Sequence, residues 1–332
     1  MRLSKLLLPA FVLLLLAAGA LAAALLVPYS GFGKETFVDI PKGTDTRHMA
    51  TLLRQAGVIR FDWQFLLARA IRKDARLQAG EYRFHIPASV WTVFDRIVRG
   101  DIFYHQVRVP EGHNIFDIAN TLENQKLIPS EAFLKVARDP APIQDLDPQA
   151  PSLEGFLFPS TYRIARHTTP EQVCRMMTDE FRRVWKELDP APETDIHTIV
   201  TLASLVEKES AVPQERPQVA SVYTNRLRKG MRMDADPTVI YAALLENRYR
   251  GSIYRSDLDK DHPYNTYRHA GLPPGPIANP GRGALEAALR PAETEFLFFV
   301  AKPDGSGAHE FTTDLTEHNK AVLNYRRGAP QP

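Results

Sequence analysis

The chain reads as an α+β protein behind a single N-terminal transmembrane helix. Three observations predict that class: an uncharged apolar run at the start, two passages that turn from strand-like alternation into helical periodicity, and a helix near residue 200 that is apolar on most faces. Its 332 residues, 44% of them hydrophobic, suffice for two folded units beyond the run. A formal net charge of +2, with no basic tract interleaved with aromatics, sets nucleic acid aside as a partner. Cys174 is the only cysteine, so neither an intrachain disulfide nor a CxxC redox or zinc site can form.

The N-terminal run sets the compartment. From Leu6 to Val27 the sequence LLLPAFVLLLLAAGALAAALLV carries no charge, and its roughly 22 residues meet the ~20 needed to cross a bilayer. Leu21-Ala22-Ala23-Ala24 resembles a small-residue cleavage site, but cleavable signals have a shorter apolar core of about 7–15 residues, so the run reads as an uncleaved anchor. Arg2 and Lys5 precede it, while Lys34 and Glu35 balance after it. The positive-inside rule then makes residues 1–29 a cytoplasmic tip and one span, with everything after about residue 30 exported. Pro9 lies near the start of the span, where a missing helical hydrogen bond matters least.

Beyond the anchor, two passages repeat each other. FVDIPKGTDTRHMATLLRQAGVI, from Phe37, aligns without gaps to QVRVPEGHNIFDIANTLENQKLI, from Gln106, matching Val38 to Val107, Pro41 to Pro110, Gly43 to Gly112, Ala50 to Ala119 and Ile59 to Ile128. Each predicts a short strand, a Pro-x-Gly turn and helices. The first continues into AGEYRFHIP, a second strand, and SVWTVFDRIVRG, a helix stopped by Gly100. The second expands that region to PSLEGFLFPSTYRIARHTTPEQVCRMM, which brings in Glu154, Pro159 and Tyr162 without equivalents in the first. Residues 36–104 have the size and order of a LysM-like α/β module. Such modules bind N-acetylated glycans; a spacer holding the rest of the chain off the membrane fits the residues equally.

The helix near residue 200 has Thr194 or Asp195 as N-cap and ends before Pro213. Ile196, Ile199, Val200, Ala203 and Val206 form one stripe, and Leu202 and Leu205 a second. His197, Thr201, Ser204 and Lys208 remain as a narrow polar face. Glu207 continues the first stripe and Glu209 the second, so the two point roughly 200° apart and cannot flank one sugar bond from the same cleft. A single carboxyl group among apolar walls can hold a proton near neutral pH and deliver it to a leaving oxygen. A salt bridge, with Arg216 as a nearby partner, is the competing role for either.

LEGFLFPSTY, LASLVEKES, AVPQERPQVASVYTNRLRKGMRMDADPTVIYA, HPYNTYRHAGLPPGPIANPGRGALEAALRP and LFFVAKPDGSGAHEFTTDLTEHNKAV follow in order. This series closely resembles the endolytic murein transglycosylases of the MltG (YceG-like) family, over the anchor and about residues 36–326. The resemblance implies a single-pass inner-membrane protein with a cytoplasmic N-terminus and a periplasmic catalytic domain, residues 105–328, that cuts nascent peptidoglycan strands internally and ends their elongation. Its expected partners are glycan strands, the cell membrane and peptidoglycan synthases. In that family the second glutamate of the E-K-E triplet is catalytic, which falls on Glu209, with Glu207 left to support structure. A lytic transglycosylase protonates the oxygen between N-acetylmuramic acid and N-acetylglucosamine, then takes the proton from the muramoyl C6 hydroxyl, closing a 1,6-anhydro ring. The 2-acetamido group can replace a second carboxylate, and the chemistry calls for no metal or organic cofactor.

The same motifs give the expected substrate-binding residues: Glu154, Tyr162, Asp236, Tyr264, Asn265, Tyr267, Gly275 and Asn279. The Gly/Pro loop is stiff at Pro273, Pro274 and Pro276, open at Gly271 and Gly275, and lacks the GK[ST] of a phosphate-binding loop. Asp236 before Pro237 is equally a helix cap, and Glu154 taken alone is a solvated or ion-paired loop residue. His309 and His318 without an HExxH carry little weight as a zinc site. A non-catalytic glycan-binding scaffold is the alternative function; retention of the E-K-E helix and the groove motifs argues against it. A pyridoxal-dependent lyase would need a lysine poised in a cofactor pocket, whereas Lys208 sits on the helix's polar face and the sequence shows no phosphate cup. DPAPIQDLDPQAPS and DPAPET are expected loops, and RRGAPQP, with residues 329–332 at its end, an unstructured tail.

Overall fold

The computed structural model describes residues 4–328, which fall into two compact units. The first comprises residues up to 106 together with Arg163–Thr168; the second comprises Val107–Tyr162 and the chain from Thr169 onward.

In the first unit, α1 (Ser4–Leu26) leads to β1 (Thr36–Ile40), α2 (Thr46–Gln55), α3 (Asp62–Ile71), β2 (Gly80–Phe84) and α4 (Val90–Arg99). β1 and β2 pair antiparallel, with Val38 opposite Tyr82, and the sheet's inner face meets α4 through Val90, Val93, Phe94 and Ile97, the i, i+3, i+4, i+7 stripe of an amphipathic helix. Ser89 caps α4 through the Thr92 N–H, and Gly100 ends it in the left-handed region at φ 67°. α1 is exposed along most of its described length, yet Leu25 is 7% exposed and belongs to the core of Leu53, Phe65, Tyr82 and Phe94. The side chain of Arg166 reaches Glu81 at 2.8 Å and His167 reaches Asp39 at 2.6 Å, which ties the returning segment into this unit.

β3 (Tyr104–Arg108), α5 (Ile115–Asn124), α6 (Ser130–Ala137), β4 (Thr161–Ala165) and α7 (Pro170–Leu188) repeat the order of β1 to α4. Aligned positions do the same job. Asp45 and Asn114 cap α2 and α5 by accepting two backbone N–H bonds each, Gly43 and Gly112 take φ of 85° and 75° in the Pro-x-Gly turns, and Leu53 and Leu122 are fully buried. The turn environments differ: an added Cβ at Gly43 meets open space, whereas Gly112 is buried and its N–H donates to the Asn279 carbonyl.

The second unit continues with α8 (Ile196–Glu209), α9 (Arg216–Arg228), α10 (Asp236–Leu245), the short α11 (Arg255–Leu258), α12 (Arg282–Leu289), the hairpin β5 (Phe298–Ala301) and β6 (His309–Thr312), and α13 (Leu315–Gly328). The expected unstructured tail is corrected in part: Arg326–Gly328 complete α13, whereas 329–332 lie outside the described residues.

Candidate active site

α8 is held on nearly all sides. Val200, Leu202, Ala203, Leu205 and Val206 are buried as their spacing predicts. The middle of the expected polar face is buried, with Thr201 and Ser204 0% exposed, whereas Lys208 at its end is exposed. Ser204 donates to the Thr201 carbonyl at 2.7 Å and accepts from the Ile277 N–H at 3.1 Å, so this face docks the Gly/Pro loop. His197 pairs with the buried Asp147 at 2.7 Å, and Lys208 reaches the Gly112 carbonyl.

At the helix's C-terminal end the two glutamates separate. Glu207 pairs with Arg216 at 2.9 Å and accepts from the Gly281 N–H at 2.9 Å, joining α8 to α9 and to the start of α12. Glu209 turns into a cleft of about 610 Å³ lined also by Tyr223, Arg226, Asp236, Tyr267, Phe298 and His318. Desolvation, reinforced by the negative charge of Asp236, pushes the Glu209 carboxyl up to about 7; a hydrogen bond from the Tyr223 hydroxyl opposes the rise. Asp236 accepts from the Tyr267 hydroxyl at 2.7 Å.

The far wall comes from the C-terminal hairpin and α13. Arg226 donates to the Leu297 and Met233 carbonyls at 2.6 and 2.9 Å and lies 5.0 Å over the Phe298 ring. His318 stacks on the same ring at 5.1 Å; burial and the neighbouring Arg226 lower its pKa. Pro237 also lines a second cavity of about 420 Å³ with Lys208, Asn114 and Tyr249, and Tyr249 and Phe116 continue into a third of about 460 Å³ that ends at Arg138. Pro237 is thus common to the cleft and the second cavity, and Phe116 and Tyr249 to the second and the third.

Of the expected site residues, Glu209, Asp236 and Tyr267 are brought together. Asp236 is not a cap, since Ala235 holds the N-cap position of α10. The other six line no part of the cleft. Glu154 is a correction: it is 1% exposed, neither a solvated loop residue nor a wall of the cleft, because its carboxylate takes up the Ile115 N–H at 3.0 Å and the Asn279 amide at 2.9 Å. A bond from Tyr241 adds a third donor, yet complete burial still pushes its carboxyl up to about 8. Asn279 is 0% exposed, donates to the His113 carbonyl and accepts the Leu157 N–H at 2.8 Å. Asn265, also buried, donates to the Leu258 and Lys260 carbonyls and accepts the Tyr267 N–H, which sets the Tyr267 backbone. Tyr162 donates to the Phe158 carbonyl; Tyr264 packs on Tyr241 at 5.1 Å; a Cβ at Gly275 would strike Pro151 at 2.8 Å. These six frame the site rather than face it.

Tyr223, Arg226 and Phe298 escaped the sequence reading, and His318 entered it only as half of a weak zinc pair. Tyr223 and Arg226 are three apart on α9, hence on one face, and this spacing within VYTNRL was the available signal. Nothing in the pattern around Phe298 or His318 pointed to Glu209, because only the tertiary fold returns the hairpin to it.

The cleft thus holds a carboxyl group pushed up to about 7, hydrogen-bonded by a tyrosine and set beside the carboxylate of Asp236, an arrangement chemically able to give and take a proton. Residues 38–324 match the model of the YceG-like family, and the chain belongs to that family. It is 32% identical over 322 residues to the endolytic murein transglycosylase of Bacillus subtilis (strain 168), covering 91% of this chain and 88% of the relative. The enzyme of the same name from Streptococcus pneumoniae (strain ATCC BAA-255 / R6) is 26% identical over 323 residues, 88% of this chain and 58% of the longer relative. Among solved structures, a yceG-like protein from Listeria monocytogenes superposes with a TM-score of 0.56 at 29% identity, covering 87% of this chain and 99% of that one.

Proposed function

We propose that this chain is a peptidoglycan lytic transglycosylase that cuts glycan strands internally, with Glu209 as the acid and then the base. The single observation that carries the mechanism is the Glu209 carboxyl itself, poised at about 7 in an open cleft. Near that pH it exists in both forms, as a group must that first protonates the glycosidic oxygen and then withdraws the proton of the muramoyl C6 hydroxyl. Tyr223 keeps the carboxylate oriented between the two steps. The anionic Asp236, steadied by Tyr267, faces the positive charge that develops on the sugar ring as the bond breaks. The hollows running past Pro237 toward Phe116 and Arg138 suit an extended strand with acetamido and carboxylate groups, which supports cleavage away from chain ends.

α1 contains a 19-residue apolar stretch, Leu8–Leu26, long enough to anchor the chain. We place its N-terminus in the cytoplasm and residues 105–328 in the periplasm as the catalytic domain, on the inner membrane and close to peptidoglycan synthases. Residues 36–104 act as a LysM-like module that either holds glycan or spaces the chain.

Asp236 raises a second reading, two-carboxylate hydrolysis, because it shares the cleft with Glu209. Mass spectrometry of products from long uncrosslinked strands separates the two. Lytic transglycosylation leaves 1,6-anhydromuramoyl ends, lighter by one water than hydrolysed ends, and Glu209→Gln should lower their yield by roughly 10²–10⁴-fold. Reducing ends would select hydrolysis; strand binding without cleavage would select the scaffold.

A further inference from the structure

The first unit carries an aromatic corner whose position relative to α1 is fixed by one side chain. Gln64 is 9% exposed; its Nε2 donates to the Ala24 carbonyl, in the last turn of α1, at 2.7 Å, and its Oε1 accepts the Phe61 N–H at 3.1 Å. Phe61 and Trp63, on either side of Asp62, are 49% and 48% exposed and stack on each other at 6.5 Å. Asp62 is paired with Arg54 at 2.7 Å, and Arg60 lies 5.0 Å over the Tyr29 ring. Tyr29 bridges to Ala88, two residues after Ile86, a third exposed apolar side chain of this unit at 62%.

The length of the span decides what this corner faces. The 19 residues of Leu8–Leu26 rise about 28 Å, which matches the ~30 Å hydrocarbon core. Ala24 is then at the outer boundary of that core, and groups hydrogen-bonded to it stand at the level of the lipid headgroups. Leu25, packed inside the unit's core, leaves no spacer between span and unit. The exposed Trp63 and the half-buried Tyr29 are of the two aromatic types that membrane–water interfaces favour, and Arg60 stands beside them.

We propose that the Phe61–Trp63 corner sits in the outer headgroup layer and seats the first unit on the bilayer, so that this unit lies against the membrane rather than being held off it. The proposal rests on the reading of α1 as a retained anchor. The full chain, reconstituted into phosphatidylcholine–phosphatidylglycerol vesicles brominated near the headgroup, should lose the Trp63 share of its fluorescence relative to unbrominated vesicles. Trp63→Phe should abolish that loss while the protein still co-floats with the vesicles. Co-flotation without Trp63-dependent quenching overturns the seating and leaves the anchor standing; failure to co-float overturns both. Trp63-dependent sedimentation with purified sacculi, in place of lipid quenching, would assign the aromatic pair to glycan and overturn the proposal as well.

Discussion

Glu209 and Glu154 are both pushed up by burial, to about 7 and about 8, yet their surroundings are opposite. Glu154 meets two N–H donors and the Tyr241 hydroxyl and touches no solvent-filled space. Glu209 has one hydroxyl partner and an open side. A raised pKa marks a carboxyl removed from water; it becomes a catalyst only where a substrate oxygen can take the vacant position. The more perturbed of the two is therefore the structural one.

The sharpest way to break this contrast is through stability. Glu154→Ala should leave the Ile115 N–H, the Asn279 amide and the Tyr241 hydroxyl unpaired around a hole, at about 3–5 kcal/mol. Chemical denaturation would measure this, and a loss below 1 kcal/mol would deny Glu154 its framing role. Glu209→Gln should act with the opposite sign. A carboxyl whose folded pKa is raised from 4.5 to about 7 costs nothing below pH 4.5, and its cost grows as pH rises through that window. Replacing it should stabilise the fold by about 3 kcal/mol at pH 8 and by nothing at pH 4. Equal melting shifts at both pH values would show that Glu209 is not desolvated. The smallest effect is expected from Tyr223→Phe. Since the Tyr223 bond holds the Glu209 pKa down, its loss should move the alkaline limb of activity to higher pH, with turnover lower by about 3- to 10-fold. An unmoved limb would remove Tyr223 from the site.

The sequence made the local elements legible because each rests on contacts within a few residues. The repeated passages announce two strands, two Pro-x-Gly turns and two capped helices, and Asp45 and Asn114 perform the same cap 69 positions apart. The opposite directions of Glu207 and Glu209 followed from helical spacing alone, and the Arg216 pairing offered for either falls to Glu207. What sequence could not divide was the motif residues themselves. Asn265 and Asn279 look like ligands for sugar because they are polar and set among glycine and proline. They are instead consumed by the backbone groups of loops that cannot bond to themselves. Ser204 misled for the same reason, its hydroxyl being taken up by the Thr201 carbonyl and the Ile277 N–H. Which polar residue faces a cleft depends on whether a distant carbonyl claims it, and local pattern does not encode that.

The return of Arg163–Thr168 into the first unit has a consequence for the order in which the chain can be made. Glu81, with a side chain only 5% exposed, waits for Arg166, 85 residues later, and Asp39 waits for His167, 128 residues later. A nascent chain that has emerged only to residue 106 carries β1, β2 and their helices but still has Glu81 without its guanidinium. The N-terminal unit is thus completed late, after most of the expanded second passage has been synthesised, and a cut anywhere between 107 and 162 would separate it from the segment that finishes it.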